Sequence, residues 1–297
     1  MQAVIIRSSA IAVMFGLAAC GGAGGDGGGG GGGGTGGGPG TNGLDYATAT
    51  QTLSDAEGVQ ITGQKASFQV GSNAQINSGT ITLDPGFLAA LSDGARDGTL
   101  EIFELTVDIE NGVGTLPGPG GEEVRITYNP NRSETYAGIL DITVGGDDAG
   151  DINGAGTYVF GFETNPSQVD ARSGSLIYSG DFVALGSLDG NVDTSTEYEG
   201  AMTVTVNFNG AGTAGVAING RLNDADDATL SGSLGLSGNG FSGGLTCSAG
   251  CNNGGGSSVD ATFYGPNAIE LGGVVAVDIT VGGHTYDGVG TFILTPP

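Results

Sequence analysis

The sequence predicts an all-β protein: an eight-stranded antiparallel up-and-down barrel at the C-terminus, preceded by a small β-rich handle-like unit and a disordered Gly-rich tether. Three observations carry this expectation. From about residue 44 apolar and polar residues alternate, and turn residues recur every eight to twelve positions, the pattern of half-buried strands. Glycine makes up 63 of 297 residues, far above the ~7% norm, and beyond one linker it is spread through the alternating segments, as turns and a tight barrel interior require. Connections such as Asn209-Gly210, Ser237-Gly238-Asn239-Gly240 and Gly282-Gly283-His284 are short, which makes neighbouring strands antiparallel.

In chain order, residues 1–19 read as a signal peptide, with Arg7 before an apolar run from Ile11 to Ala19. That run falls short of the ~20 residues that span a bilayer. Leu17-Ala18-Ala19-Cys20 resembles a bacterial lipobox, so Cys20 is the expected lipidation site, acylated with palmitate-type chains. Gly21 follows the cysteine instead of an inner-membrane-retaining Asp, so the anchor points to the outer membrane, with the cell surface expected and a periplasm-facing orientation as the alternative. Residues 20–43 form the lipidated cysteine and linker; 17 of the 23 positions from 21 to 43 are glycine. Such a segment has no side chains to bury. Its reach as a flexible tether is roughly 25–30 Å, at ~5–6 Å times the square root of its length.

Residues 44–170 read as a β-rich N-terminal unit with strands near 58–70, 79–83, 99–109, 122–128, 135–144 and 155–164, and a short helix over 84–91. This unit carries 19 acidic and 4 basic residues, against 12 and 2 in residues 171–297. The barrel itself occupies 171–297. Its eight strands are expected at 174–185, 199–208, 213–222, 228–236, 240–247, 257–264, 272–281 and 286–294. Each is expected to bury one face and wet the other. Met202, Val204, Val206 and Phe208 alternate with Thr203, Thr205 and Asn207, and Val275, Val277, Ile279 and Val281 with Ala276, Asp278 and Thr280. Closure removes exposed edges, and side chains fill an eight-stranded lumen. Phe241, Leu245, Leu234, Leu236 and Phe263 join those apolar residues on inward parities, with Gly232 and Gly243 fitting the tight interior. A membrane barrel would turn apolar residues outward between aromatic girdles; here the second face carries Thr, Ser, Asn and Asp.

Charge narrows the partners. Processing removes Arg7, the only charged residue of 1–20, and takes the net charge from −25 to −26. That excess repels nucleic acid and anionic lipid surfaces and favours basic partners or cations. The chain is read as a monomer. With Cys20 lipidated, Cys247 and Cys251 remain as a pair in a Ser-, Gly- and Asn-rich hairpin loop, and a disulfide there suits an exported protein. A zinc site would need two further ligands, and His284 is the only histidine, so no metal is expected.

Residues 156–297 resemble the transferrin-binding protein B family of surface lipoproteins. Gly156-Thr157-Tyr158-Val159-Phe160-Gly161, leading into Ser173-Gly174-Ser175-Leu176-Ile177-Tyr178-Ser179-Gly180, is similar to the family's approach to its barrel. Phe263, Tyr264, Gly265, Pro266, Ala268, Glu270, Leu271, Gly272 and Gly273 follow its closing motif. The motif is structural. Pro266 would start a helical turn, Ala268 would tuck against the barrel wall, Glu270 would accept from the backbone of the following Gly pair or stay solvated, and Gly272-Gly273 would make a turn. Transferrin-capturing members have two lobes, each a handle plus a barrel, whereas this chain has one barrel. The resemblance therefore implies a non-catalytic surface-binding lipoprotein for an unidentified protein or small ligand, iron- and haem-related ligands included, with no cofactor of its own.

No catalytic constellation stands out, so the protein is not expected to be an enzyme. His284 is an exposed turn residue and the default acid–base candidate. Asp147, Asp148, Asp151 and Asn153, and likewise Asn223, Asp224, Asp226 and Asp227, read as turn chemistry before calcium ligation. His284, Tyr264 and Tyr286 are the available haem-ligand types. Capture is expected through the loops of one barrel mouth and the acidic N-terminal unit. The alternatives are an envelope-coat protein without a ligand, or a small-solute carrier using the barrel interior.

Overall fold

The computed structural model describes residues 59–69, 75–83, 98–102, 105–117, 123–128, 136–145, 152–161, 163–190, 195–222, 226–254 and 256–297. Cys20, the 20–43 tether, the 84–91 segment, Asp147, Asp148, Asp151, Asn223 and Asp224 lie outside them.

Among the described residues, the N-terminal unit contributes β1 (Val59–Gln69), β2 (Gln75–Leu83), β3 (Gly98–Ile102), β4 (Leu105–Ile109), β5 (Val113–Pro117), β6 (Glu123–Tyr128), β7 (Ala137–Gly145) and β8 (Ile152–Gly161). They form one antiparallel sheet in the order β4-β3-β2-β1-β8-β7-β6-β5. The first and last strands of the unit therefore pair at its centre. Its two outer strands meet at a tight turn, where Glu110 and Val113 exchange backbone hydrogen bonds of 3.0 and 3.1 Å. The segment 99–109, expected as one strand, is two antiparallel strands, β3 and β4. β5 has no counterpart among the expected strands.

A short helix, α1 (Pro166–Asp170), links sheet to barrel, with Asn165 accepting from the Ser167 amide and Pro at the first turn. The barrel strands are β9 (Ser175–Leu188), β10 (Ser195–Asn207), β11 (Thr213–Leu222), β12 (Asp226–Ser237), β13 (Gly240–Gly244), β14 (Thr246–Ala249), β15 (Asn252–Asn253), β16 (Ser258–Tyr264), β17 (Glu270–Val281) and β18 (His284–Leu294). Every pairing is antiparallel. β9 pairs β18 and β11 pairs β12, which closes an eight-stranded barrel in which β14 extends β13 and β15 extends β16. The expected strand 240–247 is interrupted at Leu245, which leaves the ladder to donate its amide to Ser257 O at 2.8 Å while its side chain enters the core.

β11 follows the expected rule, buried on alternate residues and wet between them. β17 does not, being buried along almost its whole length. The reason is tertiary. Its inward residues Leu271, Val275, Val277 and Ile279 join the barrel core. Its outward Val274, with Val289 and Ile293 of β18, packs against Ala137, Ile139, Val159 and Tyr264. The N-terminal sheet thus covers one flank of the barrel.

Polar groups are also buried on β17 and β18. Asp278 and Asp287 stand opposite one another across β17 and β18. Asp278 is 7% exposed, and Asp287 Oδ1 is buried without a hydrogen-bond partner. Burial first, and repulsion from Asp278 second, push the Asp287 carboxyl above its ordinary value. A raised folded-state value means that the fold favours the protonated form. This contribution to stability is present at acid pH and is lost as pH rises through the folded value. Asp287→Asn is therefore expected to raise the melting temperature at pH ~7 and to flatten its change between about pH 4 and 7. An unchanged pH profile in that variant would remove Asp287 as the cause.

Candidate functional site

The barrel lumen is filled from both ends. At the end nearest α1, the Phe263 ring lies 5.8 Å from Tyr178 and 5.7 Å from Phe208, centroid to centroid, and the Arg172 guanidinium sits 5.2 Å above Phe208. The far end is packed by Phe182, Tyr198 and Tyr286. The three tyrosine hydroxyls are consumed by backbone carbonyls: Tyr178 donates to Ala268 O at 2.6 Å, Tyr198 to Ala228 O at 2.9 Å and Tyr286 to Ala184 O at 2.9 Å. Burial raises Tyr178 and Tyr198 to about 12 and Tyr286 well above its usual value, so all three stay neutral. Met202, Val204, Val206, Phe208, Phe241, Leu245, Phe263, Val275, Val277 and Ile279 are core residues as their parity predicts, with Leu234 and Leu236 packed against them. Tyr178, Phe182 and Tyr198 are additions that the aliphatic pattern did not single out.

The residues of the closing motif adopt conformations and contacts that differ from the expected ones. Residues 265–268 form a turn, not a helical turn. Gly265, Asn267 and Ala268 have φ of 72°, 57° and 52°, a left-handed run incompatible with a right-handed helix start at Pro266. Ala268 is fully buried, and its carbonyl accepts from both Tyr178 and Arg172, the latter at 3.1 Å. Gly272 and Gly273 lie within β17, not in a turn. A Cβ at Gly272 would come within 2.9 Å of Val159 Cγ1, and one at Gly273 within 2.6 Å of Phe292 Cζ. These two positions need the absence of a side chain for close packing. Glu270 neither caps the Gly pair nor faces solvent. It is 4% exposed, and its Oε2 accepts the amides of Tyr136 and Ala137, each at 3.0 Å. Tyr264 is buried beneath the N-terminal sheet, and Phe263 and Leu271 join the barrel core.

At the far end, Cys247 and Cys251 are joined in a disulfide with Cα atoms 5.7 Å apart, and both pack against the core. His284 is exposed and has a carboxylate partner: its Nδ1 is 2.6 Å from Asp189 Oδ2, whose other oxygen accepts the Thr285 amide at 2.8 Å. Those hydrogen bonds lower the Asp189 carboxyl from its ordinary value. The pair is exposed, and Tyr286 beside it in sequence points into the core. No shared site forms from His284, Tyr264 and Tyr286.

An open groove of about 660 Å³ crosses the outside of the barrel on β9–β12. Its geometry follows from strand alternation. Phe182, Gly200, Gly220 and Ala228 form one inward row in register, so backbone makes the floor. Flanking outward rows are Val183, Glu199, Arg221 and Asp227 on one side, and Asp181, Ala201, Asn219 and Thr229 on the other. A Cβ at Gly220 would come within 2.6 Å of the Tyr198 ring, so this glycine lets Tyr198 lie flat beneath the floor. Arg221 Nε meets Asp227 Oδ1 at 2.8 Å with both side chains well exposed, a contact of little energetic weight. Among the described residues of the two expected acidic loops, Asp227 lines the groove. The rest of the groove was missed because it is assembled from four strands.

Among the described residues, no group of three or more His, Cys, Asp or Glu could hold a metal ion, and no helix is long and apolar enough to cross a membrane. Residues 171–292 match the family model described as the C-lobe and N-lobe beta barrels of Tf-binding protein B. Similar solved structures include isotype 1 transferrin-binding protein B from serogroup B Neisseria meningitidis, at 16% identity over 80% of this chain and 43% of that one, TM-score 0.48. A Trp-176-Ala mutant of the protein from Haemophilus parasuis Hp5 matches at 15% identity over 79% of this chain and 45% of that one, TM-score 0.49. A structure described as a surface lipoprotein matches at 13% identity, covering 82% of this chain and 99% of that one, TM-score 0.37. This chain spans less than half the length of the two transferrin-binding protein B structures. No curated protein sequence matches it.

Proposed function

Since the C-terminal domain of this chain is a transferrin-binding protein B-like barrel, we propose that the protein is a non-catalytic binding lipoprotein. Cys20 carries the lipid, the 20–43 segment tethers the folded part to the outer membrane, and the barrel presents its outer surface to a soluble protein partner at the cell surface. The observation that carries this reading is the contrast between the two faces of the barrel. The described interior is packed with aromatic side chains whose hydroxyls are already hydrogen-bonded, so these groups are not free to hold a carried solute. The exterior carries an open groove lined by charged side chains. The acidic chain repels anionic surfaces and draws basic partners by long-range attraction, an effect that fades as salt rises.

The test uses the full-length protein in its native membrane. Intact mass after detergent extraction is expected to show an acylated mature chain beginning at Cys20, and protease added to intact cells is expected to remove the barrel. Cells presenting the protein are expected to retain a soluble partner saturably, and cells carrying Cys20→Ser to lose that retention. A mature chain beginning elsewhere, or a barrel protected in intact cells, would overturn the surface-anchored reading. Acylated, exposed protein that retains no partner would favour the envelope-coat alternative.

A further inference from the structure

We propose that the groove across β9–β12 is a docking site for a basic segment of a partner protein in the open polyproline II conformation, carrying Lys or Arg at positions i and i+3. This rests on the binding role above and names the site and the chemistry of its occupant.

The groove crosses the strands on a sheet face that no other described element covers. Its charged wall alternates along one register row: Val183, Glu199, Arg221, Asp227. Asp181 adds a carboxylate from the opposite wall. Three carboxylates thus face one guanidinium, which is already engaged with Asp227. Charge complementarity selects a cationic occupant, and the form of the groove selects its shape. Glu199 and Asp227 stand two strands apart, about 10 Å at ~4.8 Å per strand. A polyproline II segment has three residues per turn and advances ~3.1 Å per residue, so its side chains three residues apart lie on one face about 9 Å apart and reach both carboxylates. Asp227 retains acceptor capacity beside Arg221, because an ionised carboxylate offers several lone pairs. Val183, 41% exposed, offers an apolar surface to the methylene stem of a lysine or arginine, which covers such surface while its charge stays solvated. The volume of about 660 Å³ lies within the ~300–1,000 Å³ typical of binding clefts.

Other occupants fit less well. A second copy of this chain would bring another net charge of −25, and an anionic lipid surface or nucleic acid would be repelled in the same way. A bare divalent cation needs converging oxygens, whereas these carboxylates are distributed along the groove and no metal-holding group occurs among the described residues.

The test is fluorescence anisotropy with the full-length protein in detergent and two fluorescein-labelled peptides of identical composition, one with lysines at i and i+3 and one with adjacent lysines. The spaced peptide is expected to bind about threefold or more tighter, and binding to weaken with added NaCl. Asp181→Lys combined with Glu199→Lys is expected to weaken the spaced peptide by about tenfold or more. Asp108→Lys combined with Asp170→Lys makes the same charge change at exposed positions outside the groove, and is expected to weaken it by less than about twofold. Melting temperature confirms that each variant is folded. Equal losses in both double variants would mean bulk attraction and overturn the groove. So would equal binding of the two peptides, absence of peptide binding, or displacement of the peptide by CaCl2 at one ion per chain. Native partner retention on cells that persists in Asp181→Lys/Glu199→Lys would overturn the groove alone and leave the binding role standing.

Discussion

Replacing Phe263 with alanine is expected to cost about 3–5 kcal/mol of stability, the range for truncating a buried Phe to Ala. Phe263 is fully buried and its ring bridges Tyr178 and Phe208. The cavity would open at the end of the barrel where α1 and the 265–268 turn converge. Relaxation there is restricted, because the Phe263 amide is bonded to Asn239 O and its carbonyl to the Thr164 amide, both at 2.8 Å. For a folded region of this size, such a loss lowers the melting temperature by roughly 10 °C. Phe263→Leu keeps most of the volume and is expected to cost under half as much. Denaturant unfolding of the two variants measures both values. A loss below about 1 kcal/mol for the alanine variant would show that the lumen collapses onto the gap instead of keeping it.

Replacing Glu270 with alanine is expected to cost about 3 kcal/mol, because one buried and one partly buried amide would lose their acceptor at ~1–3 kcal/mol each. Both bonds end on one oxygen, Oε2, which joins β17 to the start of β7 some 130 residues away in sequence. Glutamine keeps one carbonyl oxygen in that place, so Glu270→Gln is expected to retain most of the stability. Amide exchange separates this role from general destabilisation. Tyr136 and Ala137 are expected to exchange faster in Glu270→Ala at equal stability margin, while the lumen strands of β10 and β11 keep their protection. Unchanged exchange at those two amides would mean that they find another acceptor.

The strands of the barrel were legible because their signal is local. Parity in β10 and β17 placed Met202, Val204, Val206, Val275, Val277 and Ile279 in the core, and one solvated face kept the pattern readable along β11. Where local rules met tertiary demands, the reading failed in identifiable ways. Gly272-Gly273 reads as a turn because glycine pairs favour turns, yet here both lie in β17 because Val159, Tyr264 and Phe292 approach too closely for a side chain. Ala276 and Asp278 read as solvated because they alternate with valines, yet both are buried, Asp278 beside Gly254 and Ser257. Glu270 reads as a local cap because its partners are distant in sequence. The segment 99–109 reads as one strand because its apolar character is continuous, whereas the chain turns between β3 and β4.

By itself the sequence determined the all-β class, the number and approximate limits of the barrel strands, the apolar lumen and the acidic charge, all of which depend on spacing and composition along the chain. The tertiary structure decided which flank of the barrel is covered, how the closing motif is used, that tyrosines seal the lumen, and that Asp181, Glu199 and Asp227 share one groove. These outcomes depend on strand register and sheet-on-barrel packing, which bring together residues far apart in sequence and leave no periodic trace in it.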